Sequence, residues 1–397
     1  MDEAHRTAWL QRRAGFGLGP GSDPAAILDP GDAVAPDTWD PELLVVTNVQ
    51  GQNARRVFGL AVDAWLERMR TTPRVLEERM AWLWHDHFAT SIEGVKSAAL
   101  MVLHVRLLQD HAMGSFADLV RAITVDPAML KWLDGNENVA TAPNENYGRE
   151  LMELFTVGLD AYSEADVRAA AAALTGWTIE RGTGTSRFVP RRHDDTSQTL
   201  LGVTGVHDVD SVVDAVCSSP ACAPFVAGAV VRGLLGPAAA DDAELVGSLA
   251  DGFAASDLAI GPLVQAVLAA GLERDDTAVV EAPVPWLVRA ERALGVRLRP
   301  LDRVAGLLAA GQVPLRPPDV GGWPDHRAWL GSSTVLSRAT LAAQLAALRP
   351  DAPTDPAGLA ALVGRPDPFA PETVAAMEAD PGSALALALC APEEVVV

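Results

Sequence analysis

Residues 143–177, PNENYGRELMELFTVGLDAYSEADVRAAAAALTGW, leave little choice of local structure. Asn144 and Asn146 follow Pro143, so either side chain can accept from the first free N–H groups of a helix that begins near Tyr147, and Gly158 ends it. Within that helix Tyr147, Leu151, Leu154 and Phe155 recur on one face, the pattern of an amphipathic helix laid on a core. Asn146, Glu150 and Glu153 form a polar stripe beside it. After a turn, Ser163 and Asp166 stand at capping-box spacing, with Asp where Glu or Gln is usual. They predict a second helix from Glu164 to about Thr175, closed by Gly176, whose unbroken alanines 169–173 let a neighbour approach closely.

The rest of the chain supplies helices to cover this pair. Apolar residues at helical spacing, punctuated by Pro, Gly, Asp and Ser, predict helices over about 53–70, 73–88, 97–106, 115–125 and 128–134. The same pattern gives 212–218, 224–235, 242–255, 262–272, 283–294, 301–310 and 332–348, and Thr72 and Pro73 read as N-cap and first residue of the second helix in the series. Residues 20–50 are dense in Pro, Asp and Gly and predict an extended loop. Alternation is confined to 185–191 and 199–203. The expected fold is therefore mainly α, a multi-helix globular array with a small β-hairpin insertion around 185–203. Residues 1–348 are read as a single helical domain and 349–397 as an Ala/Pro-rich helical tail packed on it. The segment GQVPLRPPDVGGWP, residues 311–324, is too rich in Pro and Gly to be regular and reads as an ordered loop anchored by Trp323 and Trp329.

Charge narrows the partners. The 397 residues carry a formal net charge of −21, which repels phosphate backbones and anionic lipid surfaces, so neither nucleic acid nor membrane insertion is expected. No run of eighteen apolar residues occurs, and the N-terminus shows no apolar signal region, which gives a cytoplasmic expectation. Three cysteines, Cys217, Cys222 and Cys390, do not make a disulfide framework. Cys217 and Cys222 lie at the edge of zinc-ligand spacing without a second pair to complete a site, so they read as inert thiols. Walker, GxGxxG, HExxH and GxSxG motifs are absent from the sequence.

The candidate chemistry centres on Glu150 and Glu153, three residues apart on one helical face and able to aim at one ion or substrate. In RMAWLWHDHF, residues 79–88, His87 falls on the apolar face with Leu83, Trp84 and Phe88, while His85 points about 200° away. His87 and His193 would add nitrogen ligands and Asp194 an oxygen, a mixed set suited to a divalent iron, manganese or zinc ion. Without a metal, the two glutamates would act as general acid and general base, with Arg149 and Arg168 holding an anionic group. The rival structural reading pairs these glutamates with Arg149, Arg168 or Arg79 as ion pairs that fix helix packing.

Taken together, RRAGFG near the start, RMAWLWHDHF, NENYGRELMELFTVG, YSEADVRAAAAALTGW, FVPRRHDD with the TLLG after it, and PPDVGGWPDHRAWL resemble the bacterial family called domain of unknown function 1800. The matches run from Arg12 to Arg338 and cover most of the chain. The resemblance implies frequent export, from which this N-terminus departs, and a sulfatase-like or alkaline-phosphatase-like protein encoded nearby as a partner. It implies no reaction. Two functional readings are open: a hydrolytic enzyme with a carboxylate/His site on the helix pair, metal-dependent or not, and alternatively a non-catalytic helical scaffold that binds such a partner through Trp323 and Trp329.

Overall fold

The computed structural model describes residues 1–45, 52–180 and 182–397, so the end of the expected 20–50 loop lies outside the described residues. Among the described residues the protein is mainly helical, with two small antiparallel strand pairs. Helix boundaries match the sequence pattern closely: Gln52–Thr71, Cys222–Leu235, Ala243–Ala255, Ile260–Leu272, Pro283–Leu294, Pro300–Ala310 and Ser332–Ala347 all form where breakers bracket apolar runs. Among the described residues no single helix is long and apolar enough to cross a membrane.

The apolar faces collect in two buried clusters. The first gathers Met80, Trp84, Phe88, Phe116, Leu151, Phe155 and Val230; the second gathers Trp65, Trp82, Val105, Trp286, Leu307 and Leu345. The helix Val75–His87 serves both, because residues two apart on an α-helix point to nearly opposite sides. His85 accordingly sits among the second cluster's rings, 5.0 Å from Trp65 and 5.3 Å from Trp323. His87 sits among the first cluster's, 6.4 Å from Phe155 and 6.1 Å from Phe225. Trp323 stacks on Trp82 with 5.1 Å between ring centroids. It is 6% exposed and Trp329 4%, so both tryptophans fill the core, and neither is free to anchor a partner.

The start of that helix differs from the sequence reading. Arg74 is its N-cap without a side-chain bond, and the Thr72 hydroxyl accepts the Arg74 N–H at 3.1 Å instead. Gly21 packs directly against this start: a Cβ there would lie 2.1 Å from the Pro73 carbonyl oxygen, and its φ is +69°. Replacing Gly21 by alanine is expected to cost at least about 1–3 kcal/mol, through a left-handed backbone and a forced shift of Pro73. Thermal denaturation checks this; an alanine variant as stable as the parent would show that the loop has room to move.

The β-insertion is two hairpins. Trp177–Ile179 pairs with Ser186–Phe188, and Gln198–Leu200 with Val203–Val206. Gly176, at φ +100°, turns the chain out of the preceding helix and recruits Trp177 as a strand. Leu201 and Gly202, both with positive φ, make the two-residue turn that matches strand twist in the second hairpin.

Residues 349–397 contribute the helices Pro356–Leu362, Pro371–Ala379 and Ala384–Cys390, whose Leu359, Met377 and Leu389 join the second cluster. Trp286 Nε1 donates to the Leu389 carbonyl at 3.0 Å, and Val279 and Val397 exchange backbone hydrogen bonds. Cys217, Cys222 and Cys390 are free thiols.

Candidate functional site

The loop before the central helix is pinned from within. Asn138, buried, donates through Nδ2 to the Ala171 carbonyl and accepts the Asn144 N–H through Oδ1, at 2.9 and 2.8 Å. The Asn144 side chain then accepts the Asn146 N–H at 2.9 Å, which starts the helix Asn146–Glu150. Gly148 lets this helix lie against the alanine run: a Cβ there would meet Ala170 at 3.1 Å. Tyr147 shares a hydrogen bond with Thr124 at 2.8 Å. The helix Glu164–Ala173 opens with the expected capping box, Ser163 and Asp166 each bonding the other's backbone.

Beyond Glu150 the chain departs from a regular α-helix. Leu151–Thr156 is a π-helix, with the Thr156 hydroxyl donating to the Leu151 carbonyl five residues back at 2.6 Å. Such short π segments mark functional positions more often than chance would place them there. Glu150 is the last residue before it and Glu153 lies within it; both side chains are partly exposed.

Electrostatics separates the two carboxylates from the rival ion-pair reading. Arg149 spends its guanidinium on Glu164, at 2.7 and 2.9 Å, and on Glu145 at 3.3 Å. Arg79 lies 5.8 Å over the Phe16 ring, and Arg168 is exposed. Among the described residues neither Glu150 nor Glu153 forms an ion pair with any of them. Glu153 accepts a short hydrogen bond from the Tyr162 hydroxyl. Burial, reinforced by the charge of Glu153, raises the pKa of Glu150, and Arg149 opposes this only weakly. Tyr162 is raised as well, by burial and by its bond to Glu153. A carboxyl with a raised pKa beside a second carboxyl bonded by a phenol is an arrangement suited to proton transfer.

The remaining sequence candidates are engaged elsewhere. His87 Nε2 donates to the Phe155 carbonyl at 2.8 Å, one of the carbonyls left free at the end of the π-helix. Burial lowers its pKa to about 4, so it is neutral near pH 7. His193 Nδ1 bonds the Thr175 carbonyl at 2.9 Å, and the Asp194 N–H donates to the Thr175 hydroxyl at 2.7 Å. The Asp194 carboxylate caps its own turn through Thr196, whose hydroxyl and N–H lower its pKa. These two residues fasten the strand insertion to the end of the Glu164–Ala173 helix. Among the described residues no group of three or more His, Cys, Asp or Glu side chains is disposed to hold one metal ion. His87, Glu150, Glu153, His193 and Asp194 thus do not assemble a ligand shell.

The structure also singles out groups that helical periodicity does not. Asp86, between the two histidines, accepts the Trp323 N–H at 2.8 Å. Gly322 packs so closely on it that a Cβ there would lie 2.4 Å from its Oδ1. Burial raises this carboxyl to about 7, with a further push from Asp325. His85 Nε2 accepts the Leu315 N–H at 3.1 Å, and burial drives its pKa well below the ordinary value. His104 bonds Asp126 at 2.9 Å through Nδ1, and the far nitrogens of His85 and His104 are buried without partners among the described residues. The HDH tripeptide is the one sequence signal for Asp86; nothing local announces His104 and Asp126, which are 22 residues apart.

A family model described as "Protein of unknown function (DUF1800)" matches residues 5–393. No curated protein and no solved structure matches the chain.

Proposed function

For this chain, which belongs to the DUF1800 family, we propose a hydrolytic enzyme whose proton-transfer pair is Glu150 and Glu153. One observation carries the reading: among the described residues both glutamates stand free of ion-pair partners on and beside a π-helix, while the adjacent Arg149 is committed to Glu164. Ion pairs that only fix packing would have used that arginine.

In the proposed cycle Glu153 takes a proton from an attacking water as the bond to the substrate's electrophilic centre forms. Glu150 gives its proton to the departing oxygen or nitrogen as the scissile bond breaks. The two carboxyls then exchange the proton through solvent, so the site returns to its starting state. The Tyr162 hydroxyl, donating to Glu153, fixes which oxygen faces the water. Arg168 is exposed and forms no ion pair among the described residues, so it is the cation free to hold an anionic substrate group. His87, neutral and donating to Phe155, supports the π-helix and acts as a positioning residue.

The test combines a titration with kinetics. Carbon-13 NMR of the glutamate carboxyls should show Glu150 titrating above an ordinary glutamate, and Glu153→Gln should bring it down because the like charge is gone. Against a panel of ester, phosphoester, glycoside and amide substrates, any activity found should fall about 10²–10⁴-fold in Glu150→Gln, the usual share of general acid–base catalysis. A Glu150 that titrates normally, or a hydrolytic activity indifferent to both substitutions, would sink the proposal.

A further inference from the structure

Away from the carboxylate pair, a cavity of about 990 Å³ opens between the start of the Gln52–Thr71 helix, the Ile92–Ala99 segment and the Pro300–Ala310 helix. Its size is at the upper end of the roughly 300–1,000 Å³ typical of small-molecule sites. Leu301, Val304 and Leu308 line it at helical spacing from the Pro300–Ala310 helix, and Val57 and Phe58 line it from the other side. Leu301 is 84% exposed and Leu308 45%, an apolar stripe that nothing covers among the described residues.

The charge of this cavity is opposite to that of the protein. The chain carries 52 acidic against 31 basic residues, yet among the described residues Arg55, Arg56, Lys96 and Arg316 line the cavity with only Glu42 and Glu93 against them. Glu93 is shared between Arg316 at 2.8 Å and Lys96 at 3.5 Å, so one carboxylate serves two cations. Arg55 and Arg56 form no ion pair among the described residues and are exposed. Cations collected around an aliphatic wall, on a surface otherwise negative, complement a ligand with one anionic head and an apolar chain.

We infer that this cavity binds a free long-chain carboxylate, its head among Arg55, Arg56, Lys96 and Arg316 and its chain on Leu301, Val304 and Leu308. A flat aromatic anion would leave the leucine stripe uncovered, and a neutral lipid would leave the cations unanswered. The ligand is free in solution, because the rest of the acidic surface repels an anionic bilayer.

Calorimetric titration of the full chain with octanoate, decanoate and dodecanoate, each below its micellar concentration, tests this. Saturable binding is expected, tightening about fourfold per added methylene until the cavity is filled. Leu301→Asp changes a residue already in water, so folding is preserved, and it should weaken dodecanoate at least tenfold. Arg55→Gln with Arg56→Gln should weaken it similarly while leaving dodecanol, the uncharged control, unaffected. Affinity independent of chain length, or unchanged in Leu301→Asp, overturns the inference. So does co-sedimentation with phosphatidylglycerol vesicles without binding of the free acids, which would assign the cavity to a membrane lipid instead.

Discussion

Replacing Arg289 by alanine is expected to lower stability by about 3–5 kcal/mol, the usual consequence of removing one member of a buried ion cluster. Arg289 is buried in the Pro283–Leu294 helix and donates to Glu281 at 2.9 Å, to the Glu394 carboxylate at 2.5 Å and to the Glu394 carbonyl at 2.6 Å. Glu394 is itself fully buried and keeps Arg12 at 2.8 Å and Arg365 at 3.3 Å, whereas Glu281 loses its ion pair outright. The penalty arises less from the lost bonds than from the buried carboxylate left without a partner. Urea unfolding of Arg289→Ala measures it, and the double variant Arg289→Met, Glu281→Gln should recover part of the loss by removing the carboxylate charge, but not all of it, since Glu281 is also the counter-charge of buried Arg79 and Arg13. A loss below about 1 kcal/mol would mean that water or a neighbouring arginine replaces the guanidinium. The cluster joins the first helix to the last residues, so hydrogen exchange in the variant should rise first in Glu3–Arg13 and Pro392–Val395.

Asp86→Asn is expected to stabilise the protein at alkaline pH and to change nothing below about pH 4. The Asp86 carboxyl is raised from 3.8 to about 7 by burial against Trp323 and Gly322. Below 3.8 it is protonated in both folded and unfolded chains and contributes no pH dependence. Between 3.8 and 7 the folded chain holds a proton that the unfolded chain releases, so stability falls as pH rises through this window. Above 7 the full cost is present, roughly 4 kcal/mol before screening of this partly exposed group reduces it. Asparagine accepts the same Trp323 N–H and carries no charge, so its advantage should grow from about pH 4 to 7 and then level off. His87 acts with the opposite sign: lowered from 6.5 to about 4, it favours the folded state above 6.5, and that stability is lost as pH falls toward 4. Stability against pH for Asp86→Asn and the parent, tracked by urea midpoint, separates the two limbs. Parallel curves would show that Asp86 titrates normally.

The helical architecture was legible because its determinants are local. Pro283 and Gly295 bracket one helix, the Ser163–Asp166 capping box opens another, and Gly158 closes the central one at φ +81°. The π-register of Leu151–Thr156 was not legible. Over six residues the apolar pattern of an α-turn and a π-turn is the same, and the choice depends on what receives the displaced carbonyls. Here the His87 ring and the Thr156 hydroxyl do. The first hairpin was blurred for a related reason, since Trp177 reads equally well as the end of a helix and becomes a strand only because Phe188 is there to pair with it.

The sequence alone therefore determined the mainly α fold, the capped helix pair and the positions of Glu150 and Glu153, since periodicity, caps and breakers act between residues within a few positions of one another. Only the tertiary structure decided how the polar groups pair. Arg149 turned to Glu164, His87 to the Phe155 carbonyl, His193 to Thr175, and Asp86 to Trp323, 237 residues away. A hydrogen bond selects its partner by distance and direction in space, and the number of residues along the chain carries little of that information. The central stretch keeps its two glutamates as candidates because the fold gave the adjacent Arg149 other work.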